Sequence, residues 1–66
     1  MHNKDSLWVV IHMTHSLGQA EHMKELLTRE GFMVRTRPAG EESYYEVLAL
    51  TSEAREARDI LQDSCL

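Results

Sequence analysis

The sequence predicts an α+β domain whose elements run β-α-β-β-α, with a three-stranded sheet of order 1-3-2 and both helices on one of its faces. Three observations predict it. Three short runs are rich in β-branched, apolar and aromatic side chains, the composition of strands. Two other segments repeat their apolar residues every three to four positions. The chain has only 66 residues, enough for one domain with one core and for no second domain.

Residues 1–6 are polar and are expected to form a disordered tail, leaving residues 7–64 as the single domain. Leu7 to Met13 reads as the first strand. Strict alternation sets Leu7, Val9, Ile11 and Met13 on one face and Trp8, Val10 and His12 on the other. Both faces are largely apolar, which suits a strand in contact on two sides. Ser16 followed by Gln19 has the spacing of a capping box, which satisfies free donors at a helix start. Leu17, Ala20, Met23, Leu26 and Leu27 then form the inward stripe of the first helix, and Gly31 supplies the left-handed residue that ends it.

Phe32 to Arg37 alternates Phe32, Val34 and Thr36 against Met33, Arg35 and Arg37, the pattern of a half-buried second strand. Residues 38–43 read as a loop, because Pro38 cannot donate to a ladder and Gly40 accepts positive φ. Tyr44 to Leu50 forms the third strand, with Tyr45, Val47 and Ala49 opposite in direction to Tyr44, Glu46 and Leu48. Thr51 or Ser52 is placed to cap the second helix, with Glu53 in its electropositive first turn. Ala54, Ala57, Ile60, Leu61 and Ser64 make its narrower inward stripe.

A short hairpin after a β-α-β crossover places the third strand between the first and second. This is the split βαβ of a ferredoxin-like fold, truncated by its last strand. The first strand then has an unpaired edge, and it is the most apolar strand of the chain. Such an edge invites pairing with another chain, so self-association is expected. The outward-facing Trp8, Val10, Met33, Tyr44 and Leu48 predict the contact surface of a homodimer, since no second layer covers them.

Composition excludes several classes of function. The net charge of −4 argues against non-specific nucleic-acid binding, which needs a basic footprint. The longest uninterrupted apolar run, Leu7 to Ile11, is too short to cross a bilayer, so no membrane partner is expected. A single cysteine, Cys65, rules out an intrachain disulfide and, with no signal-peptide pattern, points to the cytoplasm.

The run Lys24-Glu25-Leu26-Leu27-Thr28-Arg29-Glu30-Gly31-Phe32, then Arg37-Pro38, Tyr45-Glu46-Val47-Leu48 and Ser52-Glu53-Ala54 resembles a family of short bacterial proteins. These are grouped as prokaryotic signal-transducing proteins of unknown function, and the likeness spans residues 7–62. Its shared motifs are packing and capping motifs, and the family has no established catalytic residues to carry over. The resemblance therefore implies a fold and a regulatory setting, and no chemistry. No cofactor is expected. Pyridoxal-phosphate chemistry, for example, needs a Schiff-base lysine in a large fold, whereas Lys4 and Lys24 are the only lysines.

Three constellations remain. His12, His15 and His22 are candidate metal ligands, with Cys65 as a fourth, although their spacing matches no recognised zinc pattern. Bland surface and turn positions account for them better. Arg35 and Arg37, close in sequence to Glu41 and Glu42, offer either a charge match across strands or a site for an anionic metabolite. Trp8 and Tyr44, flanked by these arginines, sit where RNA-recognition domains carry stacking aromatics. The negative charge and the lack of a glycine-aromatic signature favour a dimer contact instead. No serine or cysteine has a base and an acid at catalytic spacing. The expectation is a non-catalytic regulatory or interaction module acting as a homodimer, or alternatively a sensor of an anionic metabolite or a histidine-based metal-binding protein; a further, unidentified protein partner is also compatible.

Overall fold

A computed structural model describes residues 7–40 and 43–64. The elements are β1 (Trp8–Thr14), α1 (Leu17–Arg29), β2 (Val34–Pro38), β3 (Tyr45–Leu50) and α2 (Ala54–Ser64), with a 3₁₀ turn at Thr51–Glu53 before α2. The sheet has the order β1-β3-β2, and β3 is antiparallel to both neighbours. Both helices lie on one side of it, in the ferredoxin-like layout that the order of the elements predicts. The expected tail at residues 1–6, the acidic pair Glu41-Glu42 and Cys65 lie outside the described residues.

The core joins all the elements that line this side. Ile11 from β1, Val47 and Ala49 from β3, Ala20, Met23 and Leu27 from α1, and Ala54, Ala57 and Leu61 from α2 form one buried cluster. Val9, Phe32, Val34, Tyr45 and Ile60 pack around it. Four of the ten buried apolar residues are alanines, so the helices meet each other and the sheet largely through backbone-near atoms. Leu17, expected in the inward stripe of α1, is exposed at the start of the helix instead.

Helix α1 begins and ends as local chemistry requires. The Ser16 hydroxyl accepts the Gln19 N–H at 3.0 Å, the first half of a capping box. The second half is relayed: the Ser16 N–H donates to Thr14 Oγ1 at 3.4 Å, and the Thr14 hydroxyl donates to Gln19 Oε1. Thr14 is only 5% exposed, and these two bonds satisfy a hydroxyl whose burial would otherwise be costly. At the other end Gly31 adopts φ +97°. Its N–H bonds Thr28 O at 3.0 Å, and the Phe32 N–H bonds Leu27 O at 3.0 Å. This is a Schellman motif, with Phe32 folded back onto the core that holds Leu27.

Three boundaries differ from the sequence expectation. First, β1 is shifted to Trp8–Thr14, and its ladder with β3 slips by one residue between Val10 and His12. Ile11 is the extra residue of a β-bulge, and a bulge reverses the facing of everything beyond it. Second, β2 starts at Val34 and includes Pro38, which pairs with Tyr45. Proline is tolerated because β2 is an edge strand and Pro38 is its last residue. Third, a 3₁₀ turn at Thr51–Glu53 stands between β3 and α2, where the sequence pattern predicts the helix itself to begin. Glu53 stands in the first turn of that 3₁₀ segment, and its Oε1 accepts the Met33 N–H at 3.2 Å, tying the entry of β2 to the entry of α2.

Candidate functional site

The sheet face away from the helices is the surface on which the candidate residues converge. Opposed residues in a ladder share a face, so the register fixes its membership. Trp8 lies opposite Leu50, Val10 opposite Leu48, and Met13 opposite Glu46. From β2, Arg35 lies opposite Leu48 and Arg37 opposite Glu46. Among the described residues no element covers this face.

Its polar side chains are matched to one another. Arg37 Nε donates to Glu46 Oε1 at 2.6 Å. The Arg35 guanidinium sits over the Trp8 ring, 4.9 Å from its centroid. To do so it crosses β3, above Leu48, which is only 3% exposed. At the far end of the sheet the His15 and Tyr44 rings lie 4.4 Å apart at an interplanar angle of 43°. Outside this face, the Thr36 hydroxyl donates to Glu21 Oε2 at 3.1 Å and links β2 to α1.

The five expected contact residues therefore fall into different roles. Trp8 and Val10 are half-buried on the face. Tyr44 is 37% exposed and Met33, at the entry of β2, is 57% exposed. Leu48 is already buried within the single chain, so it supports the face from beneath and offers little surface of its own. Met13, expected on the core side, is placed on the open face by the bulge and is 48% exposed. No pattern in the sequence distinguishes the bulge from plain alternation. Glu46 as the partner of Arg37 was discoverable, because it follows from the register of the β2-β3 hairpin.

The three candidate metal ligands among the described residues lie apart in the structure. His12 lies opposite Val47, towards the helix side of the sheet and away from Trp8 and Val10, because the bulge carries it there. His15 is exposed against Tyr44. His22 is exposed on the outer surface of α1, in a depression of about 420 Å³ lined by Gly18, Glu21, His22, Lys24, Glu25 and Thr28. All six belong to one helix, so the depression is a feature of the surface and not a cavity between elements. Among the described residues no group of three or more His, Cys, Asp or Glu could hold a metal ion.

The two arginines, candidates for an anion site or for a charge match across strands, both have partners within the chain. Arg37 is engaged by Glu46 and Arg35 by Trp8, so an anion at Arg37 has a carboxylate to displace. Among the described residues no helix is long and apolar enough to cross a membrane.

No family model matches the chain, and neither a curated protein nor a solved structure matches it. Fold and surface are therefore the basis for a functional reading.

Proposed function

We propose that the chain is a small, non-catalytic regulatory or interaction module that works as a homodimer through its open sheet face and the adjoining β1 strand. One observation carries this reading: a face built on Trp8, Val10, Leu48 and Leu50, bordered by exposed Met13, Met33 and Tyr44, has no second layer among the described residues. Apolar surface of this kind is stabilised by contact with another apolar surface. The charged groups of the face are already paired or stacked in the single chain, so apposing it to a partner leaves no new charge unmatched. That pairing also supports a binding role over catalysis, since neither arginine is held ready for a substrate.

Sedimentation velocity across a concentration series tests the proposal. A dimer at low micromolar concentration is the expected result, and Val10→Glu, which sets a carboxylate in the contact, should return it to monomer. A monomer at all concentrations, or a dimer that Val10→Glu and Trp8→Ala leave unchanged, would sink the reading.

A further inference from the structure

The two edges of the sheet are unlike. The β2 edge ends in Pro38, which has no N–H to donate, and carries Arg35 and Arg37 at alternate positions. Antiparallel pairing of β2 with its own copy about Thr36 would set Arg35 of one chain against Arg37 of the other, and like charges directly opposed are destabilising. Proline and charge of this kind blunt an edge against pairing. The β1 edge has neither device. Trp8–Thr14 contains no Asp, Glu, Lys, Arg or Pro, and among the described residues no strand pairs with its outer side.

Resting on the proposed self-association, we infer that a second copy of this chain adds its β1 to the outer edge of β1, antiparallel and centred on Val9, giving one continuous six-stranded sheet. The bulge excludes the registers centred on Val10, Ile11 and His12, and Val9 is the centre of the regular stretch before it, Trp8–Val10. An antiparallel pair related by a two-fold axis must oppose residues of the same face. Centring on Val9 sets Trp8 against the second copy's Val10 on the open face and Val9 against its own equivalent on the helix face. Centring on Ile11 instead sets Val9 against Met13, which lie on opposite faces because of the slip between Val10 and His12. Centring on Val10 sets Trp8 against His12, with the same conflict.

Side chains along this seam suit one another. The pairing brings the flanking Leu7, 58% exposed in the single chain, up to Ile11 of the second copy. It also draws the two α2 helices towards the seam, since α2 packs against β1 and β3. Those additions matter, because a stable interface of ordinary size buries roughly 800 Å² per partner, whereas the whole chain exposes 4766 Å². A strand edge alone is a small part of that, and the neighbouring Leu7, Trp8 and α2 surfaces add to it.

Cysteine crosslinking in the full chain tests the register. Residues directly opposed in an antiparallel pair have Cα atoms about 4.5–5.5 Å apart, within the reach of a disulfide. With the native thiol removed by Cys65→Ser, Val9→Cys should form a disulfide-linked dimer when oxidised with diamide, at concentrations where sedimentation shows a dimer. Met33→Cys, distant from the seam, should not. Because Val9 also packs against the core, a second readout uses the Cys65→Ser chain alone: amide exchange in Trp8–Val10 should slow as concentration rises, while exchange in β2 should not. A dimer crosslinked through Met33→Cys and not through Val9→Cys, with no concentration dependence in β1 exchange, would overturn the edge geometry and leave self-association standing. A monomer throughout would overturn both.

Discussion

The Arg35 guanidinium lies 4.9 Å from the centre of the Trp8 ring although β3 separates their two strands. The contact bridges the two outer strands across β3, on the face to which Leu48 belongs. A double-mutant cycle with Arg35→Ala and Trp8→Leu should give a coupling of about 0.5–1 kcal/mol, the size of a cation–π contact at a partly exposed site. Trp8 is the only tryptophan, so Arg35→Ala should also red-shift the intrinsic fluorescence. Unchanged emission would mean that the contact does not hold in solution.

Thr14 joins β1 to the start of α1 through one hydroxyl. Thr14→Val keeps the shape but leaves the Ser16 N–H and Gln19 Oε1 without this partner, and should cost about 1–3 kcal/mol. Thr14→Ser retains the hydroxyl and should recover most of that loss in urea unfolding. If the valine variant is as stable as the parent, the relay contributes nothing.

Gly31 tests backbone conformation in isolation. A Cβ added there meets no atom within 4 Å, so Gly31→Ala carries no steric clash beyond its own φ of +97°. The left-handed penalty of about 1–2 kcal/mol should appear as a lower melting temperature. Gly18→Ala, inside α1 and in loose contact only with the Ser16 hydroxyl, should instead raise stability by up to about 1 kcal/mol.

Glu53 links two chain segments that are twenty residues apart. Glu53→Ala should speed amide exchange at Met33 while leaving the β3 amides protected, whereas Glu53→Gln should keep an acceptor and most of the protection. Equal exchange in all three proteins would assign the contact no structural role. By contrast, Glu46→Gln should change stability by less than about 1 kcal/mol, because its partner Arg37 is 61% exposed and exposed ion pairs contribute little.

Much of this architecture is legible in the residues, and the exceptions have physical causes. The Ser16 cap, the Gly31 stop, the alternation of β2 and the inward Ala54, Ala57 and Leu61 are local signals, and each appears as expected. The central place of β3 follows from hairpin connectivity. What local reasoning misses is tertiary. The bulge at Ile11 is set by how β1 meets β3, and it moves Met13 and His12 to faces that alternation denies them. Pro38 joins a strand because its N–H side is unneeded at an edge. Glu53 also takes up the Met33 N–H across twenty residues of sequence, which no local pattern shows. Of the candidate surface, Trp8, Val10 and Tyr44 are found where alternation sets them, while Leu48 is buried within the single chain, which no single-strand pattern encodes.

The alanines in the core have a consequence for how this chain can vary. Ala20, Ala49, Ala54 and Ala57 are buried in the cluster that joins the helices to the sheet, so at four points the filling between the layers is the smallest side chain that has a Cβ. Enlarging any of them must push a helix off the sheet, and a helix that moves carries every other contact with it. Leu27 and Leu61 can shrink and leave a local void; the alanines cannot grow without a change that is global. In a lineage of such chains, drift should therefore run in one direction at these sites, with glycine or serine the tolerated neighbours and larger residues absent.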